Sequence, residues 1–122
     1  MHEGAIVSSL FQIALEIKEK EKLKNISLIK VTMGKFHQIV PEVMEMHFNI
    51  MKKEYKGFED AELEMEEKDL IISCPNCGKK TKLTEPLFIC PECGSIETDI
   101  IQGNELYIAS MEGYRDQEIK ET

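Results

Sequence analysis

The feature that most limits what this chain can fold into is Cys74-Pro75-Asn76-Cys77-Gly78 followed by Cys90-Pro91-Glu92-Cys93-Gly94. Together they make a C-x2-C-x12-C-x2-C series that uses all four cysteines. Two residues between thiols let one tight turn aim both sulfurs at a single ion. The x12 spacer is a hairpin's length and brings the second turn opposite the first. The product is a tetrahedral S4 site, which suits Zn2+ and leaves no open coordination position, so the ion is expected to be structural and not catalytic. Gly78 and Gly94 follow the second cysteine of each pair, where a knuckle needs positive φ, and Pro75 and Pro91 stiffen the turn starts. Two disulfides would suit a secreted miniprotein, but no signal-peptide pattern opens this chain. A redox C-x-x-C comes once, beside a βαβ pattern. Iron is the remaining competitor, since rubredoxin-like sites also use C-P-x-C-G loops; the doubled spacing favours zinc.

A structural ion holds something without saying what the protein does, so the rest of the chain has to supply the function. Its 122 residues bound it to one modest domain, or a small core with an appendage. The formal charge is −8, and four bound thiolates with one Zn2+ add −4 + 2 = −2, giving about −10 for the zinc form. Such a chain is a poor nucleic-acid binder, because phosphate contacts need clustered Lys and Arg. No apolar run approaches membrane-spanning length, and with no targeting segment the cytoplasm is the expected location.

An amphipathic helix is expected from about Gly4 to Leu23, with Ile6, Val7, Leu10, Ile13, Ala14 and Ile17 on one stripe, Phe11 and Leu15 widening it, and Asn25 as the stop. Ile26 to Met33 is rich in β-branched residues and reads as a strand ended by Gly34. Pro41-Glu42 starts a second helix, which runs to about Tyr55 with Met44, Phe48, Met51 and Tyr55 on its apolar stripe. Lys56-Gly57 closes it. Ala61 to Glu66 alternates apolar and acidic residues, so Glu62, Glu64 and Glu66 form the wet face of a half-buried strand and not an acid/base pair. The metal hairpin follows, with short strands at Ile71–Ser73 and Thr98–Ile101, and Glu105–Met111 makes a last strand. The fold class is therefore α+β: a small three-stranded sheet with two helices, and a zinc-ribbon subdomain inserted between two strands of that sheet. The domain boundaries are 1–69 with 104–122 for the α+β part and 70–103 for the ribbon.

Of three histidines, His37 reads as a surface loop residue and His47 as a packed or half-exposed helix residue. His2 is set apart by its position. An α-amine, the amide nitrogen of residue 2 and that residue's imidazole Nδ1 can close a five- and a six-membered chelate ring, a donor set that favours square-planar Ni(II) or Cu(II). Glu3 can add a carboxylate or a further amide, and the bulk of His2 keeps Met1 in place to supply the amine. A second-position histidine is common by accident, so this chemistry takes its weight from the rest of the chain.

Met1-His2-Glu3 opening an amphipathic helix is followed by Val31-Thr32-Met33-Gly34, by Val40-Pro41-Glu42 with Phe48 beyond it, by the two cysteine knuckles with Ser95, and by Gly103-Asn104-Glu105-Leu106. This series, spanning nearly the whole chain, resembles the HypA/HybF family of nickel metallochaperones for NiFe-hydrogenase maturation. The resemblance implies nickel on the Met1 amine, His2 and Glu3, and zinc on Cys74, Cys77, Cys90 and Cys93. It implies transfer of Ni(II) to a hydrogenase large-subunit precursor with a HypB-type GTPase as partner, a homodimer as a further assembly, and no enzyme activity of its own. No nucleophile–base pair and no phosphate-binding GxxxxGK[ST] loop is present. Some relatives carry a histidine between the cysteine pairs that can approach nickel; residues 78–89 here contain none, so a side-chain ligand from that loop is not expected. The competing class is a zinc-ribbon binding module in transcription or RNA metabolism, with His2 accidental. Its acidic charge weighs against that reading.

Overall fold

The computed structural model describes residues 3–85 and 87–115. In chain order the elements are α1 (Glu3–Lys20), β1 (Asn25–Gly34), a 3-10 turn (Lys35–His37), α2 (Pro41–Met51), a second 3-10 turn (Lys52–Glu54), β2 (Glu62–Lys68), β3 (Leu70–Ser73), β4 (Lys80–Leu83), β5 (Asp99–Gln102) and β6 (Leu106–Tyr114). The strands form two three-stranded sheets, β2-β1-β6 and β4-β3-β5. The α+β class, the two helices and the placing of the strands before and after the cysteine hairpin in one sheet all stand. β2 and β6 flank β1, so the chain leaves that sheet after β2, builds the second sheet, and returns as β6.

Among the described residues the chain divides into two compact units. One takes in the residues up to Val31, Ile39–Glu66 and the residues from Tyr107; the other takes in Thr32–Gln38 and Glu67–Leu106.

The first unit is built on α1 and α2. Val7, Leu10, Phe11 and Ala14 are the buried residues of α1, an i, i+3, i+4, i+7 set. Ile13, expected on this stripe, is 46% exposed. The stripe is turned toward Phe11, because that ring has three aromatic partners: Phe48 at 5.2 Å and Tyr55 at 4.3 Å, both stacked, and Phe58 edge-on at 5.6 Å. Ile26, Ile29, Val31, Met44, Phe58 and Ala61 complete the core. Two helix ends differ from expectation. α1 stops at Lys20, five residues short of Asn25, because Lys22 takes the left-handed conformation (φ 58°) and Asn25 already opens β1. The second helix tightens into the Lys52–Glu54 3-10 turn before Tyr55, as last turns often do. Gly57 then turns the chain at φ 94°, where a Cβ would come 2.6 Å from the Lys24 carbonyl oxygen.

In the second unit β3 is the central strand. It pairs antiparallel with β4 (Ile71 opposite Lys82, Ser73 opposite Lys80) and with β5 (Ile72 opposite Ile100, Ser73 opposite Asp99), with a register irregularity between Ile71 and Ile72. Leu70 and Ile72 point to the buried side. β4 has no counterpart in the sequence reading. Its Lys80-Thr81-Lys82-Leu83 alternation carries one apolar residue, too little to signal a strand without its partner. Gly34 meets this unit at close quarters: a Cβ there would overlap the Gly103 carbonyl and lie 2.6 Å from Asn104 N.

Candidate metal centres

The two cysteine knuckles repeat each other atom for atom. Cys74 N–H donates to the Lys79 carbonyl (2.9 Å) and Gly78 N–H to the Cys74 carbonyl (2.6 Å); Cys90 N–H donates to the Ser95 carbonyl (2.9 Å) and Gly94 N–H to the Cys90 carbonyl (2.8 Å). Gly78 and Gly94 share φ 77°, the left-handed turn their positions require. The first sulfur of each pair, on Cys74 and Cys90, is buried, and the second, on Cys77 and Cys93, is exposed. Lys79 Nζ reaches Glu92 Oε1 at 3.0 Å, linking one knuckle to the other.

The four sulfurs lie within 4.8 Å of one another, with Cys74–Cys93 and Cys77–Cys90 at 3.6 Å. A tetrahedral ion with metal–sulfur bonds of about 2.3 Å sets its sulfurs about 3.8 Å apart, so the donor set fits a small tetrahedral dication. The electrostatics point the same way. The Cys93 thiol is held at about 6 by the Asn76 side-chain amide, whose Nδ2 sits 3.6 Å from Cys93 Sγ, and by the Ser95 backbone N–H. The Lys79 N–H pulls Cys77 down, but its hydrogen bond with Cys90, partial desolvation and the other two sulfurs outweigh that, and the group is pushed up to about 11. Four crowded thiols cannot all ionise beside one another, and a dication in their midst replaces the protons. Asn76 is the residue of this centre that spacing does not announce. Its place inside a knuckle, with an amide able to turn toward sulfur, is the available signal.

Of the nitrogen-rich site expected at the chain start, Met1 and His2 lie outside the described residues. Glu3 opens α1, and its Oε2 accepts from the Val40 backbone N–H at 3.1 Å. Val40 is the N-cap of α2 and has no side-chain cap of its own, so Glu3 serves an amide that the second helix leaves free. That hydrogen bond, with another from the Glu3 backbone, holds the carboxyl below its ordinary value, and His47 adds a smaller pull. His37 is half-buried and its Nε2 donates to the Asn104 carbonyl at 2.9 Å. His47 is half-buried on α2, as expected, and lies against Gly4. Among the described residues the four cysteines are the one cluster of three or more His, Cys, Asp or Glu able to hold an ion.

Comparison with known proteins supplies what the geometry leaves open. Residues 1–113 match the family described as hydrogenase/urease nickel incorporation, metallochaperone, HypA. The chain is similar to the hydrogenase maturation factor HypA of Moorella thermoacetica, 40% identical over 93% of this chain and 99% of that one. It is also similar to that of Aquifex aeolicus, 37% identical over 92% and 96%. Its fold is similar to the solution structure of the Ni metallochaperone HypA from Helicobacter pylori, with a TM-score of 0.70, 26% identity, and coverage of 95% of this chain and 100% of that one. The chain belongs to the HypA family of hydrogenase/urease nickel-incorporation metallochaperones.

Proposed function

We propose that the chain carries Ni(II) on the Met1 amine, the His2 backbone and imidazole, and Glu3, and holds one structural Zn2+ on Cys74, Cys77, Cys90 and Cys93. The observation that carries this reading is the closure of the four-sulfur centre: its sulfurs crowd within 4.8 Å and supply a complete tetrahedral shell, so cargo nickel needs other donors. The strongest remaining set in the sequence is Met1-His2-Glu3. Amine, amide and imidazole nitrogens suit Ni(II), whereas an all-sulfur tetrahedron suits zinc.

Delivery on this reading is ligand exchange. Nickel at a chain end is open to attack, and the cysteine thiolates of a hydrogenase large-subunit precursor displace amine and imidazole. A HypB-type GTPase is the partner in that step, a homodimer is a further assembly, and the cytoplasm is the place of work. The chain is a carrier and not an enzyme. The ribbon, 70–103, serves as the zinc domain and 1–69 with 104–122 as the nickel-binding domain. The helices of the described residues include none long and apolar enough to cross a membrane.

Nickel-loaded chain mixed with metal-free large-subunit precursor tests delivery. Nickel is expected to appear in the precursor faster than from a small chelator buffering the same free Ni(II). Equal rates from both would refute a carrier role.

A further inference from the structure

The two knuckles repeat each other in their backbone hydrogen bonds but differ in the side chain before the second cysteine. Asn76 precedes Cys77, and Glu92 precedes Cys93. Each reaches across to the other knuckle. The Asn76 amide Nδ2 stands 3.6 Å from Cys93 Sγ and donates to it, whereas the Glu92 carboxylate has no proton to give and accepts from Lys79 Nζ at 3.0 Å. The two exposed sulfurs are therefore served unequally. Cys93 Sγ receives the Asn76 amide and the Ser95 backbone N–H. Among the described residues Cys77 Sγ receives one N–H, from the Lys79 backbone, and the Lys79 ammonium is already held by Glu92. With the centre filled no sulfur carries a proton, so these N–H groups are the donors that remain.

A metal-bound thiolate keeps a lone pair that attacks soft electrophiles, and susceptibility follows thiolate character and exposure. An N–H donated to sulfur draws on that lone pair, as outer-shell partners tune the ligands they touch. Burial keeps Cys74 and Cys90 from a reagent in solution, and the Asn76 amide shields Cys93. We propose that Cys77 is the modification site of the ribbon, the sulfur on which a soft electrophile first enters the filled centre, and that Asn76 protects Cys93. With an alkyl halide the step is a displacement. The Cys77 lone pair forms an S–C bond, the carbon–halogen bond breaks, and halide leaves with the electron pair. The resulting thioether is neutral, the shell is one thiolate short, and the ribbon loses its hold on the metal.

This inference rests on the zinc centre proposed above, and the experiment separates the two. Zinc-loaded full-length chain is treated with less than one equivalent of iodoacetamide. Peptide mass spectrometry identifies the alkylated cysteines, and a chromogenic chelator follows released zinc. Label at Cys77 should exceed label at Cys93 by roughly 2- to 10-fold, the rate equivalent of one hydrogen bond's usual net worth, with Cys74 and Cys90 last. Zinc should be released in step with label at Cys77. In Asn76→Ala the Cys93 rate should rise to that of Cys77. Glu92→Asn places an amide at the position equivalent to Asn76, and there Cys77 should slow while Cys93 does not. A wild type labelled at Cys93 or at a buried cysteine as fast as at Cys77 overturns the assignment. So does a Cys77-to-Cys93 ratio that is the same in the wild type and either variant. Those results leave the zinc centre standing; wild type that holds no zinc by elemental analysis overturns the centre and this inference with it.

Discussion

Phe11→Ala tests whether the helical unit is organised about one ring. Phe11 is 1% exposed and touches Phe48, Tyr55 and Phe58, two stacked and one edge-on. Truncating a buried Phe costs about 3–5 kcal/mol through lost transfer energy and the cavity left behind. Here the cavity is walled by three rings anchored on different segments, so collapse is poor and the cost should be near about 4–5 kcal/mol. Against a typical total of about 5–15 kcal/mol that is a large fraction. With a urea m-value of about 2 kcal/mol/M, the midpoint followed by far-UV circular dichroism should fall by about 2 M. Ile13→Ala is the control: its side chain is 46% exposed, and its loss should cost under about 1 kcal/mol. Bound metal reports on the other unit, since the four cysteines belong to Glu67–Leu106, and metal content under native conditions should be unchanged in Phe11→Ala. A midpoint for Phe11→Ala no lower than that of Ile13→Ala would refute the reasoning.

Cys93→Ser is expected to lose the ribbon's metal by elemental analysis and to unfold β3 to β5, since structural zinc contributes on the order of 10 kcal/mol in small domains, while the helical signal of α1 and α2 persists. Iron, or no metal at all, in wild type purified under reducing conditions would reject zinc. Gly34→Ala should destabilise by about 3 kcal/mol or more in urea titration, because its Cβ meets backbone atoms of Gly103 and Asn104 that no side-chain rotation can clear. Lys35 (2.8 Å) and Lys82 (3.3 Å) hold the Asp69 carboxyl below its ordinary value. A depressed folded-state pKa stabilises above the ordinary carboxylate range and is lost as pH falls through the folded value. Wild type should therefore exceed Asp69→Asn in stability at neutral pH, with the gap closing as the solution is acidified and as salt is added; a gap that widens in acid would be the wrong sign.

What could be read from the sequence was what is local. The knuckles were legible because covalent spacing alone aims Cys74 with Cys77 and Cys90 with Cys93, and the glycine after each pair marks the turn. β1, β2 and the start of α2 were legible because their apolar periods and Pro41 act within a few residues. Long-range packing was hidden. Phe11 displaced Ile13 from the buried stripe because its partners lie beyond α1, on α2 and in the segment after it. β4 exists because β3 offers it a ladder, and its own residues are mostly polar. At the chain start the sequence singled out Glu3, but the Val40 amide it serves, and the His47 ring that lies against Gly4, are brought in by the packing of α2 beside α1.

The measurement that bears most directly on the central claim is calorimetric titration of Ni(II) into zinc-loaded protein with a native Met1, beside His2→Ala and a form extended at its N-terminus. One Ni(II) per chain is expected for the wild type, with zinc retained throughout. Nickel binding should be lost in His2→Ala, which lacks the imidazole, and in the extended form, which lacks the free amine. It should also weaken on acidification, because both donors must be neutral to bind. Nickel bound by His2→Ala as tightly as by the wild type would contradict the account.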